Sequence, residues 1–224
     1  MIEFENVSHA YDGRVVLRDV SLTLSENRIG IVGANGSGKS TLARMINALV
    51  VPDSGTVTVD GLPVAKNKRE VRRRVGFIFS DPDRQIIMPT VLEDIELSLR
   101  RTDLDKAARA DRARAVLARF GLGDHADHPA QRLSGGQKQL LALASIFVTD
   151  PAIIVADEPT TLLDLRNTRM LTRVFDTLDE QLVVVSHDLD ILAGFDRVIA
   201  IDEGRVVADD SPGPALAAYR RLMS

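Results

Sequence analysis

The sequence predicts an α/β fold with a mainly parallel central sheet, and three observations predict it. The short apolar runs "RIGIVG" (28–33), "AIIVADEP" (152–159) and "LVVVSHD" (182–188) are continuous rather than alternating, as in strands covered on both faces of a parallel sheet. The first of them ends in a glycine-rich loop that leads directly into a helical run. Between the first run and the other two, from about Pro82 to Asp150, the pattern changes to helices, so the α/β core carries a helical insert.

The elements follow in order. "IEFENVSHAY" (2–11) and "VVLRDVSLTL" (15–24) alternate partially with period two and read as strands. "RIGIVG" is a buried-type strand, and the helix "STLARMINALV" (40–50) follows its glycine loop. "GTVTVDG" (55–61) is a short strand closed by a glycine turn, and "RVGFIF" (Arg74–Phe79) is another strand. The basic run "KNKREVRRR" (Lys66–Arg74) reads as a solvated helix; the chain is net negative and no aromatics interleave, which argues against a nucleic-acid patch. In the insert, "TVLEDIELSLRR" (90–101) and "DKAARADRARAVLARFG" (105–121) read as helices, the second with Ala, Leu and Phe inside and Arg outside. "RVIAIDEGRVVADD" (197–210) is a final hairpin turning at Glu203-Gly204.

Composition excludes several classes of function. The 224 residues fit one large domain, or a core with a subdomain, and 45% hydrophobic with 27% charged residues is an ordinary globular balance. A net charge of −4 gives no global basic field for nucleic acid or anionic lipid. The absence of cysteine excludes disulfides and thiolate metal sites, and with no secretory signal at the N-terminus the expected compartment is the cytoplasm. No apolar run reaches the roughly 20 residues of a membrane-spanning helix.

Three motifs carry chemistry. "GANGSGKS" (Gly33–Ser40) matches G-x-x-x-x-G-K-[ST] between a strand and a helix. Gly33, Asn35, Gly36, Ser37 and Gly38 let backbone N–H groups wrap phosphates, Lys39 reaches the β- and γ-phosphates, and the Ser40 hydroxyl ligates Mg2+; Thr41 supports the loop. "IIVADE" (Ile153–Glu158) is a buried strand ending in two carboxylates, a costly arrangement that needs a reason. Asp157 is placed to hold Mg2+, directly or through water, and Glu158 to act as general base on the attacking water. His187 ends another apolar strand on the same sheet edge, where it contacts the γ-phosphate.

A fourth stretch, "LSGGQKQLLALASIFV" (Leu133–Val148), is a helix with an unusual start. Ser134 caps its first turn, while Gly135 and Gly136 leave the backbone bare, although each glycine costs a helix interior about 1 kcal/mol. Bare N–H groups at a helix start suit a phosphate, yet the chain already has one phosphate cradle.

The motifs Gly33–Ser40, Leu133–Gln137, Asp157-Glu158 and His187 resemble, in order and over nearly the whole chain, those of the ABC-type ATPases. The resemblance implies a P-loop NTPase core with an N-terminal antiparallel β-subdomain and an inserted helical subdomain at approximately 82–150, in a single ATPase domain. It also explains the second cradle. Two such domains pair head to tail, and Ser134, Gly135, Gly136 and Gln137 meet the partner's ATP in trans. Tyr11 resembles the aromatic that stacks on adenine. Asp164 resembles the acidic residue of the loop that communicates across the dimer, with Leu162-Leu163 where the family prefers small residues.

Relatives carry Gln where Ser80 stands, and Ser80 reaches a metal only through a bridging water. "PDRQ" (Pro82–Gln85) resembles a segment of the energy-coupling-factor (ECF) subgroup, which implies that Gln85 projects outward and docks the transmembrane coupling protein. The expected protein is therefore the ATP-hydrolysing subunit of an ECF-type importer. It binds ATP and Mg2+, dimerises with itself or a close paralogue, and works peripherally on the cytoplasmic side of a membrane with a coupling protein and a substrate-binding membrane protein. No nucleic-acid partner is expected. The early stop after the last strand tilts the expected cargo to biotin, with cobalt or nickel next. The alternatives are the ATPase of another ABC importer or exporter, or a soluble DNA-repair ATPase of the same family.

Overall fold

Two sheets carry the strands of the computed structural model, which describes residues 1–223, with Arg101 described by its backbone alone. In chain order the elements are β1 (Ile2–Tyr11), β2 (Arg14–Leu24), β3 (Arg28–Gly33), α1 (Lys39–Ile46), β4 (Ser54–Val59), β5 (Leu62–Pro63), α2 (Lys68–Arg74), β6 (Val75–Ile78) and α3 (Val91–Ser98). They continue with α4 (Lys106–Arg119), α5 (Gly135–Phe147), β7 (Ile153–Asp157), α6 (Leu165–Asp176), β8 (Gln181–Val185), α7 (Leu189–Leu192), β9 (Arg197–Asp202), β10 (Arg205–Asp210) and α8 (Pro212–Met223). The chain divides into two units, one of residues 1–77, 152–158 and from 175 onward, the other of residues 78–151 and 159–174.

The first unit holds the catalytic-looking strands. A six-stranded sheet runs β10-β9-β3-β8-β7-β6, in which β3, β7, β8 and β9 pair in parallel and β10 returns antiparallel on β9. Their apolar runs are buried almost completely: Ile29, Ile31 and Val32 on β3, Ile154 and Val155 on β7, and Val183–Val185 on β8 are all at 0% exposure. The register sets the strand ends level. Asp157 pairs with Val185, Ile31 pairs with Val185 on the other side, and Gly33 pairs with Ile201. Residues just past these ends therefore gather along one sheet edge, the place where open parallel sheets bind ligands. A second sheet, β2-β1-β4-β5, is antiparallel throughout. The basic helix α2 buries Val71, and Arg72 donates to the carbonyls of Asn47 and Ala48 just past the end of α1, so part of its charge satisfies a helix C-terminus.

The second unit is helical. Each of its long helices starts on a side-chain cap. Thr90 and Glu93 form a capping box on α3, Asp105 accepts the Ala108 N–H on α4 at 2.9 Å, and Ser134 and Gln137 form a capping box on α5. The buried Asp94 carboxylate accepts the N–H groups of Ile87 and Met88 at 2.8 and 2.9 Å and ties down the chain ahead of α3. Phe120 and Phe147 pack with ring centroids 5.2 Å apart, where α4 meets α5.

Three helices, α6, α7 and α8, are not among the elements read from the sequence. Helix α8 opens with Pro-Gly-Pro, which reads as a break, but proline is tolerated in the first helical turn, where its missing N–H has no partner to lose.

Candidate nucleotide-binding site

The phosphate loop joins β3 to α1 and is shaped by backbone that only glycine supplies. Gly38 sits at φ +107°, and a Cβ there would lie 2.6 Å from the Val16 carbonyl oxygen. At Gly33 a Cβ would lie 2.1 Å from the Ile201 carbonyl oxygen. Helix α1 begins at Lys39 with no side chain capping it, so the first-turn N–H groups that every helix leaves unbonded remain available to an anion. The Lys39 ammonium donates to the Ala34 carbonyl across the loop at 2.9 Å. Burial pushes its pKa below the ordinary lysine value, and the negative charges of Glu158 and Asp157 offset part of that. The Ser37 hydroxyl is buried with no hydrogen-bond partner among the described residues.

Asp157 closes β7 and is 2% exposed. The Ser40 hydroxyl donates to its Oδ1 at 2.7 Å, and the Arg44 guanidinium lies 3.3 Å from its Oδ2. A hydroxyl and a carboxylate oxygen converging at that distance are the donor types that hold Mg2+. Arg44 was missed in the sequence. The available signal was its spacing, four residues after Ser40 on the same helix, which puts both side chains on one face.

The next residue turns the chain. Glu158 has φ +55°, a left-handed conformation that costs a non-glycine residue about 1–2 kcal/mol. Its N–H is held by the Val185 carbonyl at 2.9 Å. Its Oε2 lies 2.7 Å from His187 Nδ1 and 3.3 Å from the His187 backbone N–H. The His187 ring is open to solvent, with its side chain 67% exposed against 20% for Glu158. A carboxylate beside an imidazole, on strained backbone, has the chemistry to take a proton from water.

Tyr11, 43% exposed, lines one cleft of about 300 Å3 together with Arg14, Gly36, Lys39 and Ser40, so an aromatic face and the phosphate loop share a single groove. Beneath it the buried His9 ring meets Tyr11 edge-on, with centroids 4.6 Å apart, and restrains its orientation. His9 was also missed; its place two residues before Tyr11 on the same face of β1 was the available signal.

The remaining sequence-predicted residues, Ser80, Gln85, Ser134–Gln137 and Asp164, belong to the helical unit. The two signature glycines are bare for different reasons. Nothing comes within 4 Å of a Cβ built on Gly135, whereas one on Gly136 would lie 3.2 Å from the Asn167 amide nitrogen. Gly136 thus also leaves room for the chain's own 162–167 segment. Asp164 accepts the Asn167 N–H at 2.8 Å and so fixes the start of α6 beside that glycine. Gln85 also departs from expectation. It does not project outward: its Nε2 donates to the Ala142 carbonyl at 3.0 Å and its Oε1 accepts the Phe79 N–H at 3.4 Å. The physical reason is that the turn at Pro82–Arg84 runs against α5, where the Ala142 carbonyl, which also accepts the Ser145 hydroxyl at 2.8 Å, has a second lone pair for the amide. Ile87, two residues on, is an outward apolar side chain, 73% exposed.

Comparison with known proteins now decides the family. A family model described as "ABC transporter" matches residues 17–161. The chain belongs to the ABC transporter family. This ABC ATPase is 44% identical to the biotin transport ATP-binding protein of Rhizobium etli, over 99% of this chain and 98% of that protein. It is 32% identical to an energy-coupling factor transporter ATP-binding protein of Latilactobacillus sakei, over 100% of this chain and 82% of the relative. Among solved structures it is similar to CbiO1 of Clostridium perfringens, described as part of the ABC transporter complex CbiONQ, with a TM-score of 0.84 and 29% identity over 96% of this chain and 90% of that one. The fold class expected from sequence, a P-loop NTPase α/β core with an antiparallel N-terminal sheet, is the one observed. No helix among the described residues of the ABC ATPase is long and apolar enough to cross a membrane.

Proposed function

We propose that this chain is the ATP-hydrolysing subunit of an ECF-type importer whose cargo is biotin. The observation that carries the reading is the common sheet edge on which Lys39, Ser40, Asp157, Glu158 and His187 meet, in a chain similar over nearly its full length to biotin and energy-coupling transport ATPases. Tyr11 stacks on adenine, the phosphate loop and Lys39 hold the phosphates, and Ser40 with Asp157 holds Mg2+, which supplies charge neutralisation at the phosphates when bound. Glu158 takes the proton of the attacking water, and His187 holds Glu158 and the γ-phosphate end of the site. Arg44 keeps the second Asp157 oxygen paired, so that the buried carboxylate is not left uncompensated. Ser134–Gln137 meets the nucleotide of a second copy or a close paralogue, and Asp164 stands at that interface. Membrane partners, a coupling protein and a biotin-binding protein, hold the complex at the cytoplasmic face.

The test is uptake and hydrolysis together. Cells expressing the chain with its membrane partners are to accumulate labelled biotin, and a Lys39→Ala variant is to abolish both uptake and ATP hydrolysis. Hydrolysis with accumulation of cobalt or nickel instead would replace the cargo. Absence of ATP hydrolysis with every membrane partner would overturn the reading.

A further inference from the structure

The turn that leads into α5 carries two of the chain's four histidines, and they are bonded to each other and to the signature glutamine. His125 Nδ1 lies 2.9 Å from His128 Nδ1, and His125 Nε2 lies 3.1 Å from Gln137 Nε2. The other end of the Gln137 amide is committed: its Oε1 accepts the Ser134 backbone N–H at 2.9 Å, while Ser134 Oγ accepts the Gln137 N–H at 3.3 Å.

Donor accounting fixes the protons in this chain. The Ser134 N–H only donates, so the Gln137 amide must turn its oxygen to it and its NH2 to His125. His125 Nε2 must then be a bare acceptor, which leaves the proton of that ring on Nδ1. That proton is donated to His128 Nδ1, so His128 carries its own proton on Nε2. Every link is satisfied only while both rings are neutral. A second proton on His125 sets an N–H against the Gln137 NH2. A second proton on His128 sets two N–H groups face to face, and the only escape, moving the His125 proton to Nε2, meets Gln137 again.

We infer that His125 and His128 form an imidazole relay that holds Gln137, and through it the Ser134 cap of the signature helix, in the pose required for hydrolysis, and that a proton on either ring releases it. The backbone of the turn does not give way instead. His128 donates its N–H to His125 O at 2.9 Å and accepts the Val91 N–H at 3.1 Å, and Ala126 accepts the Leu92 N–H at 2.9 Å. The side chains are therefore the part that changes. The charged groups of the surrounding elements include Asp124 and Asp127 in the turn itself, Arg132 after it, Arg119 at the end of α4, which packs against the turn and holds its guanidinium over the Phe147 ring at 5.8 Å, Lys138 on α5, whose ammonium is 2.7 Å from Asp83, and Glu93 on α3, whose carboxylate is taken by the Thr90 hydroxyl and N–H. Neither the Lys138 ammonium nor the Glu93 carboxylate is committed to the rings. His125 is a positioning residue, and its effect on turnover rests on the proposed role of Ser134 and Gln137 at the partner's nucleotide.

Two variants of the full chain test this. In His125→Gln the side-chain oxygen still accepts from Gln137 but does not titrate; in His125→Ala the acceptor is gone. At pH 8 His125→Ala is expected to lower kcat about fivefold, the worth of one ordinary hydrogen bond, with KM for ATP unchanged, and His125→Gln to restore most of it. As pH falls from 8 to 6, through the range in which imidazole takes up its proton, wild-type kcat is expected to drop relative to His125→Gln. A wild-type to His125→Gln ratio that stays flat across this range overturns the relay, and so does His125→Ala with wild-type turnover at pH 8. If His125→Ala does not fold, the ratio alone decides. A readout independent of nucleotide is the side-chain amide resonance of Gln137 in the 15N-labelled chain, expected to titrate in the wild type and not in His125→Gln. A pH-indifferent resonance overturns the relay whatever the fate of the proposed function. A titrating resonance with no effect on kcat overturns the claim that the pose matters for hydrolysis.

Discussion

Glu158 and His187 stand on neighbouring strand ends and share one short contact, Oε2 to Nδ1 at 2.7 Å, with the same oxygen 3.3 Å from the His187 N–H. A carboxylate that accepts from an imidazole N–H keeps its charge and its direction, which is what a base for water needs. Glu158→Gln keeps the volume and removes the basicity. The expected outcome is a fall in kcat of about 10²–10⁴-fold, with ATP affinity retained because Lys39 and the loop are untouched. Steady-state hydrolysis beside nucleotide binding checks it, and near-normal turnover would remove Glu158 from the role of base.

The signature residues are predicted to act on the partner's nucleotide. A Lys39→Ala subunit and a Ser134→Arg subunit are each expected to be inactive as homodimers, since both sites of each are damaged. In a mixed dimer the two defects fall in one composite site and the other is intact, so mixing is expected to recover about half of the wild-type rate per mixed dimer if sites turn over independently. With mixed dimers demonstrated by tagged co-purification, no recovery above either parent would sink the shared-site arrangement.

The parallel core was legible because its strands are uninterrupted apolar runs, and the last hairpin because Glu203 and Gly204, at φ +46° and +79°, are the pair that such a tight turn demands. Helix α6 was legible too. Its buried Leu171, Val174 and Phe175 fall at i, i+3 and i+4 with arginines and threonines on the other face, so the helical period was present and was passed over. The direction of Gln85 was lost for a different reason. A local motif places a residue on a turn, but whether its amide meets solvent or the Ala142 carbonyl depends on a helix that begins fifty residues later. Arg44 was hidden because it matters through Asp157, which the sequence does not put beside it, whereas His9 stood two residues from Tyr11 on the same strand and that signal was passed over.

Arg197 is predicted to anchor the β9–β10 hairpin to the connection after β2. Its guanidinium bonds both oxygens of Asp209 at 2.6 Å, Glu26 at 3.1 and 3.2 Å, and the Thr23 carbonyl at 2.7 Å, and its pKa is raised above the ordinary arginine value, mainly by Asp209. For Glu26, burial pushes the pKa up, but its backbone hydrogen bonds and Arg197 outweigh this and hold it below the ordinary glutamate value. A carboxylate lowered in the folded state stabilises above its unfolded pKa and loses that contribution as pH falls through the folded value. Arg197→Met is therefore expected to cost about 1–3 kcal/mol at neutral pH, less than a fully buried pair because the partners are about one-third exposed. The gap in Tm between wild type and variant is expected to narrow below about pH 4. A gap that is constant from pH 7 to pH 3 would exclude the Glu26 contribution.

The segment after β6 separates a structural residue from an outward one, and the two are predicted to fail differently. Gln85 ties its turn to α5 through Ala142, so Gln85→Ala leaves the carbonyl and the Phe79 N–H without that partner and is expected to cost about 1–2 kcal/mol, seen as a Tm lowered by a few degrees. Ile87 gives up almost nothing on mutation inside the chain, because its side chain already faces solvent. It is predicted to be covered by the membrane coupling partner of the proposed complex, where burying it would be worth about 1.5–3 kcal/mol. Ile87→Asp is therefore expected to leave Tm and basal ATP hydrolysis within error of wild type, while weakening co-purification with the coupling protein and reducing uptake. The paired measurement is thermal unfolding beside uptake for both variants. Normal uptake by Ile87→Asp would take the partner off this surface, and an unchanged Tm in Gln85→Ala would show that its bonds to α5 and Phe79 hold nothing.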